Sequence, residues 1–246
     1  ERTFKEKKIQ RIGTGEFTDS LIWEPWTDLS KRLVPMFAAQ RNTILELKSK
    51  TTTIEGLRHL SHNRKTIAAW SVNTPRIIVQ EECRSASLTA RLKAAAKCES
   101  WGYPLAFHFD PVIIYEGCEA DYVRVVKKIF SFVSPENIVW ISLGSFRFMP
   151  ALKPIIQKRF PQSNIIYGEF ITGLDGKMRY FKPLRIELYK KIIAGIREYA
   201  PQVFIYLCME DNEVWQNTLG YAASERGGLA RLLDKQAMQH CELARN

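Results

Sequence analysis

The sequence has no run of 18 apolar residues and no charged-then-apolar leader, so neither a membrane-spanning helix nor a secretory signal is legible in it. It has no Cys-x-x-Cys pair. Its five cysteines, Cys83, Cys98, Cys118, Cys208 and Cys241, are odd in number and widely spaced, which excludes a zinc-knuckle pattern and a disulfide framework. A reducing cytoplasm is the simple reading, with each thiol a small buried hydrophobe. The interior has no low-complexity segment, no linker and no repeat.

What is present suits a globular protein. The 246 residues are 46% hydrophobic and 11% aromatic, enough to bury a sizeable core. The net charge is +10, from 36 Lys and Arg against 26 Asp and Glu. That excess favours a polyanionic partner such as nucleic acid. The basic residues are scattered rather than blocked, so a generally basic enzyme is the competing reading.

One stretch organises the chain: Arg11-Ile-Gly-Thr-Gly-Glu-Phe-Thr-Asp-Ser20. Glycine tolerates positive φ and lets backbone approach a ligand closely. Gly13 and Gly15 flank a threonine, and Glu16 follows at once. At a strand end this offers free N–H groups beside one carboxylate, a match for a ligand with a cationic amino group. The plain alternative is a tight turn.

Period and punctuation give an alternating pattern. Ile9–Ile12 reads as a strand. A helix follows from Thr27-Asp28, with Leu29, Leu33 and Phe37 on one face and Pro35 expected to bend or split it. Strand Thr43–Lys50 carries Ile44, Glu46, Lys48 and Lys50 on one face, opposite Leu45, Leu47 and Ser49. Residues 54–60 read as a short helix, Thr66–Asn73 as a strand, and Ser87–Trp101 as a helix capped by Ser87 or Ser85 and closed by Gly102. Strand Pro104–Asp110, helix Glu119–Phe132, strand Asn137–Leu143 and helix Pro150–Arg159 follow. A strand at Ile165–Tyr167, a helix Leu184–Tyr199, a strand Val203–Leu207 and a helical tail Ser224–Leu243 complete the reading. Gly173-Leu-Asp-Gly176 is a turn signal, so Arg179 and Tyr180 also fit a plain hairpin.

Regular alternation predicts parallel strands with crossover helices. The fold class is α/β: a partial (β/α)6 TIM-like barrel over residues 1–210, with a helical C-terminal extension over 211–246. A barrel is preferred to a flat sheet because Glu16, Lys50, Ser71 and Asn73, His108 and Asp110, and Ser142 all fall at or just past strand C-terminal ends. In a parallel barrel those ends meet at one mouth. There Glu16 suits an ammonium, Lys50 a carboxylate, and Ser71 and Asn73 a ribose or purine edge. Lys50 also reads as a solvated strand-end lysine, and Ser71-Asn73 as a turn before Pro75. His108 and Asp110 read either as two metal ligands or as a satisfied histidine beside a carboxylate.

Arg11–Asp19, Leu45-Glu-Leu-Lys-Ser-Lys50, Trp70-Ser-Val-Asn73, Gly102-Tyr-Pro-Leu105, Pro111-Val-Ile-Ile-Tyr-Glu-Gly117, Arg147-Phe148 and Lys177-Met-Arg-Tyr180 occur in an order that resembles the spore photoproduct lyase family of the radical S-adenosylmethionine superfamily. The resemblance runs from about Arg11 to about Tyr206. It implies a [4Fe-4S] cluster, S-adenosylmethionine as the source of a 5′-deoxyadenosyl radical, a DNA substrate, and a reductase, flavodoxin or ferredoxin as electron donor. By position, it implies that Gly13, Gly15, Glu16 and Thr18 meet the methionine end of the cofactor, Lys50 its carboxylate, and Ser71 and Asn73 the ribose region. Arg147, Arg179 and Tyr180 fall on the substrate side, with Arg179 and Tyr180 the catalytic candidates.

Two departures stand out. The family's C-x3-C-x2-C cluster loop has no counterpart here, and a cluster needs three thiolates. The expectation is that the cluster segment and first barrel strand lie upstream of this sequence. The alternative is a cluster-free member that binds nucleic acid. Further, no cysteine lies between residues 1 and 82, where the authentic lyase carries a hydrogen-donating one. That predicts a lyase-like radical enzyme with another substrate. A metal-dependent barrel hydrolase built on His108 and Asp110 is a third reading. An uncovered first strand predicts homodimerisation or poor solubility.

Overall fold

The computed structural model describes residues 8–15 and 18–243. In chain order the elements are β1 (Gln10–Thr14), α1 (Glu24–Thr27), α2 (Leu29–Ala38), β2 (Thr43–Ser49), β3 (Thr66–Ser71), α3 (Pro75–Glu81), α4 (Leu88–Ser100), β4 (Leu105–Val112), α5 (Cys118–Phe130), β5 (Ile138–Ser145), β6 (Arg147–Phe148), α6 (Leu152–Arg159), β7 (Phe170–Thr172), β8 (Met178–Tyr180), α7 (Lys182–Tyr199), β9 (Ile205–Leu207), α8 (Asn212–Leu219) and α9 (Gly228–His240). Six strands form one sheet in the order β1-β2-β3-β4-β5-β9, every pair parallel. The sheet curls into a half-barrel with helices on its convex side, the predicted class.

Strand alternation sorts the side chains into two cores. Leu45 and Leu47, Ala68 and Trp70, Phe107 and Phe109, Ile141 and Leu143, and Ile205 and Leu207 face the helices and join one large buried cluster. Ile44, Ile67, Ala69, Ala106 and Trp140 face the concave side, where Leu233, Ala237 and Cys241 of α9 and its end pack onto them. A half-barrel cannot fill its own interior, so α9 supplies the missing wall. Arg11 of β1 fastens it, with Nε 2.7 Å from the Asp234 carboxylate. This leaves the upper part of the concave face, toward the strand C-terminal ends, for polar residues.

A second, small sheet sits past β5. β8 pairs antiparallel with both β6 and β7, and Gly173–Gly176 makes the turn of the β7–β8 hairpin.

Local chemistry explains several element ends. Ser87 caps α4 by accepting from Ala90 N–H at 3.3 Å, and Gly102 follows the helix at φ +88°. Thr74 and Asp211 cap α3 and α8 in the same way. Some expectations fail for local reasons. Ile165–Tyr167 is a turn, not a strand: Tyr167 N–H bonds the Asn164 carbonyl. Residues 54–60 shrink to a 3-10 turn at Glu55–Leu57. Pro35 does not split α2, which ends three residues later, and its carbonyl still accepts from Ala39. Leu29 is exposed; the buried face of α2 is Ser30, Val34, Phe37 and Ala38. The tail is a 3-10 turn at Ala223–Arg226 and then α9, because Gly227 and Gly228 both take positive φ. α3 and α8 are helices of seven and eight residues that the expected pattern lacks.

Candidate functional site

The loop after β1 folds back onto the end of β2. Ser20 N–H bonds the Lys48 carbonyl, and Thr14 and Ser20 hydroxyls meet at 2.7 Å. The Asp19 carboxylate accepts from Ser49 Oγ and from the Lys50 and Leu21 N–H groups. Gly15 has φ +85°, and a Cβ there would lie 2.7 Å from the Lys48 carbonyl oxygen. Its glycine is required by the loop's own packing. Gly13 differs: a Cβ there would meet nothing within 4 Å, so the space beside it is open. Thr18 is exposed. Glu16 lies outside the described residues.

Lys50 stands at the mouth, but its ammonium is held by Glu82 at 2.9 Å. Glu82 also receives wholly buried Arg91, which bonds the carbonyls of Ser71 and Ala86. Burial pushes the Glu82 carboxyl up, and the charges of Lys50 and Arg91 overcome that and hold it below the usual carboxylate value. Ser71 is buried on the concave face. Asn73 is buried too. Its amide nitrogen donates to the Pro111 carbonyl, and its oxygen accepts from Thr74 N–H and the Tyr122 hydroxyl. That is a turn-building role, with its oxygen fully committed inside the protein.

The densest polar group on the concave face crosses four strands. His108 Nε2 lies 2.5 Å from Glu46 Oε1, and Nδ1 lies 2.7 Å from Ser142 Oγ. Tyr206 stands opposite Ser142 in the β5–β9 register. A carboxylate only accepts, so Nε2 carries the hydrogen of the pair with Glu46. His108 is thus a satisfied histidine beside a carboxylate, and the carboxylate is Glu46, not Asp110. Among the described residues no three His, Cys, Asp or Glu side chains converge on a metal position.

Nearer the mouth, burial followed by the charge of nearby Asp110 pushes the Cys208 thiol up to about 12. Arg147 and Lys48 supply the opposing positive charge around it. Arg147 and Arg179 face each other across the β6–β8 register. Arg179 pairs with Asp175 and lies over Gly173, where a Cβ would be 2.5 Å from Arg179 Nε. Arg147 Nη1 and Arg179 Nε are buried without a hydrogen-bond partner among the described residues. Buried guanidinium N–H groups are rarely left so, and a carboxylate or phosphate is the chemistry that completes them. Tyr180 lies deeper. It is 2% exposed, stacks on Phe170 at 4.5 Å between ring centres and accepts from Ile114 N–H.

The structure therefore brings Arg147 and Arg179 together, and it engages Lys50 with Glu82. Glu46, Lys48, Tyr206 and Cys208 were missed as site residues. For Glu46 and Lys48 the signal was present, since the period of β2 already put them on the face of Ile44.

A sequence model of the family described as spore photoproduct lyase matches residues 4–182. The chain belongs to the spore photoproduct lyase family. The spore photoproduct lyase of Bacillus subtilis strain 168 is 28% identical over 177 residues, 71% of this chain and 49% of that protein. The Clostridium acetobutylicum spore photoproduct lyase is 27% identical over 165 residues, 67% of this chain and 47% of that protein. The chain thus spans about half the length of these curated spore photoproduct lyases. A solved spore photoproduct lyase with one cysteine replaced by alanine superposes with a TM-score of 0.77 at 23% identity, over 83% of this chain and 63% of its own. A double mutant of spore photoproduct lyase solved with bound AdoMet and dinucleoside spore photoproduct gives 0.75 at 22% identity, over 82% and 62%. These likenesses fix the fold. The spore photoproduct lyase match ends at Lys182, so α7, β9, α8 and α9 lie beyond it.

The two family cofactors fit this chain unequally. The orphaned guanidinium nitrogens and the open space at Gly13 suit a polar, carboxylate-bearing ligand such as S-adenosylmethionine. A [4Fe-4S] cluster does not fit these residues. Cys98, Cys118 and Cys241 are buried, Cys83 is exposed, Cys208 is partly exposed, and among the described residues no three of them converge.

Proposed function

We propose that this chain forms the cofactor- and substrate-binding half-barrel of a radical S-adenosylmethionine enzyme of the photoproduct-lyase type, acting on DNA or another nucleic acid. The observation that carries the reading is the pair of buried, unpartnered guanidinium nitrogens on Arg147 and Arg179 at the mouth of this half-barrel. S-adenosylmethionine, when bound, supplies the group that abstracts hydrogen from the substrate.

The chain's own residues bind and orient. Lys48 and Arg147 offer charge to the cofactor carboxylate or to a substrate phosphate. The backbone at Gly13, with Thr18 and Glu16 after it, meets the amino end. The Glu46–His108–Ser142–Tyr206 chain forms a rigid polar floor, and α9 closes the barrel beneath it and keeps water out. Arg179, on the hairpin, addresses the nucleic acid, and Tyr180 braces that hairpin against Ile114. A cluster draws its thiolates from somewhere other than these five cysteines, and the electron donor is a partner of that cluster.

The test is S-adenosylmethionine binding to this 246-residue chain by equilibrium dialysis. Binding that weakens on the order of tenfold in Arg147→Ala and in Lys48→Ala supports the reading, as expected for the loss of one charge-assisted contact each. No saturable binding, or binding indifferent to both changes, overturns it.

A second reading is favoured by the lack of a convergent thiolate set: a cluster-free nucleic-acid-binding protein on the same half-barrel. It predicts oligonucleotide binding with a steep salt dependence and no S-adenosylmethionine binding.

A further inference from the structure

Outside the mouth, a cleft of about 340 Å3 opens between α3, the segment after β4 and the loop after α6. Its walls include Arg76, Gln80, Tyr115, Gln162 and Asn164, over an apolar floor at Ile113. α3 and the 113–115 segment each follow a strand C-terminus, so the cleft lies on the same side of the sheet as the mouth. It adjoins the hairpin, because Tyr180 accepts from Ile114 N–H beside Tyr115.

One wall is flat and charged. The Arg76 guanidinium carbon lies 4.6 Å from the Tyr115 ring centre. The ring cannot swing: its hydroxyl donates to Asp121 at 2.7 Å and accepts from Thr74 at 2.8 Å. The other wall carries the side-chain amides of Gln162 and Asn164, which make no hydrogen bond to another described residue. Ser163 between them donates to Glu81 at 2.7 Å and pins this loop to α3. Two more cation–aromatic pairs are built by α6 and the loop after it: Lys153 over Tyr167 at 5.9 Å and Arg159 over Phe160 at 5.7 Å. Tyr167 and Phe160 are both more than half exposed. Three of the four cation–aromatic pairs among the described residues therefore fall on α3 with the 113–115 segment and on α6 with the loop after it.

A planar cation on an aromatic ring, facing unpaired amides, is a receptor for a flat heteroaromatic with hydrogen-bonding edges. Bases stack on guanidinium planes and aromatic rings, and amides read their edges. Cations interleaved with exposed aromatics mark a single-strand path. We propose that the cleft is a subsite for an unpaired nucleobase of a strand that continues beyond the reacting residues, stacked on Arg76 and contacted by Gln162 and Asn164. This rests on the reading that the substrate is nucleic acid, and it assigns that substrate as a polynucleotide gripped at a second point.

The test uses this chain, a fluorescein-labelled single-stranded 12-mer and anisotropy at fixed salt, with S-adenosylmethionine binding measured in parallel. Arg76→Ala weakens the 12-mer roughly tenfold, the worth of one stacked base, and leaves S-adenosylmethionine binding unchanged. Arg76→Lys keeps the charge but loses the plane, and it weakens the 12-mer nearly as much. Gln162→Ala with Asn164→Ala weakens it further. Full binding by Arg76→Lys makes Arg76 a phosphate contact and overturns the base subsite. Full binding by Arg76→Ala overturns it as well. If the unaltered chain binds S-adenosylmethionine but no 12-mer, the nucleic-acid reading fails and the subsite with it.

Discussion

Arg91, wholly buried, reaches the Glu82 carboxylate at 2.5 Å, and the same carboxylate holds Lys50 at 2.9 Å from its other oxygen. This pair ties α4 to the loop after α3. Removing Arg91 leaves Glu82 with Lys50 alone and the Ser71 and Ala86 carbonyls without their donor, which costs about 3 kcal/mol or more. Arg91→Ala should therefore lower the unfolding free energy by at least that much in urea titrations. The pH dependence follows from the depressed Glu82 pKa. Its stabilisation is present above the ordinary carboxylate value of 4.5 and is lost as pH falls through the lower folded-state value. Melting temperature followed from pH 7 to pH 3 should drop more steeply in the wild type than in Glu82→Gln. Parallel curves would sink the assignment.

Gly15 supports a sharper substitution test than Gly13. Gly15→Ala meets both a positive φ and the Lys48 carbonyl, and it should cost about 1–3 kcal/mol. Gly13→Ala meets neither obstacle and should unfold within about 1 kcal/mol of the wild type. Equal losses at the two sites would mean that the loop does not fold back on β2.

Thiol labelling separates the cysteines. Cys83 is exposed and should react with a disulfide reagent at pH 8 far faster than the other four. Cys98 and Cys241 are buried, and burial pushes both thiols up to about 12. Cys208 is partly exposed, yet it stays protonated against Asp110. Asp110→Asn removes the charge that raises it, so Cys208 labelling should accelerate severalfold, as read by mass spectrometry. An unchanged rate would show that Asp110 does not face the thiol.

Among the described residues β1 is the end strand of the sheet and pairs with β2. End strands of open sheets recruit partners. The chain should dimerise or precipitate as its concentration rises. A monodisperse monomer by light scattering at about 100 μM would count against this.

The alternation of strand and helix was legible because each buried strand is a short apolar run bounded by turn residues. The polar faces of β2 and β4 were legible because strand side chains alternate. What stayed hidden depends on long range. Nothing in the chain announces that His108 meets Glu46, 62 residues earlier, or that Cys208 meets Asp110. Lys50 looked like a ligand contact because its strand-end position is visible and its partner Glu82 is not. Asn73 looked available for the same reason; Tyr122 and Pro111 occupy it only after β3 and β4 have paired. α3 escaped because its cap, Thr74-Pro75, also reads as a plain strand-ending turn.

α9 joins the end of the chain to its beginning, with Arg11 and Asp234 separated by 223 positions. During synthesis on the ribosome, β2 to β5 emerge with Ile44, Ile67, Ala69, Ala106 and Trp140 uncovered, and they stay so until Leu233 and Ala237 arrive. Contacts so remote in sequence close slowly. A nascent chain stalled before Gly228 would display that greasy inner wall, which makes it a natural client of chaperones and a poor product of any premature stop codon.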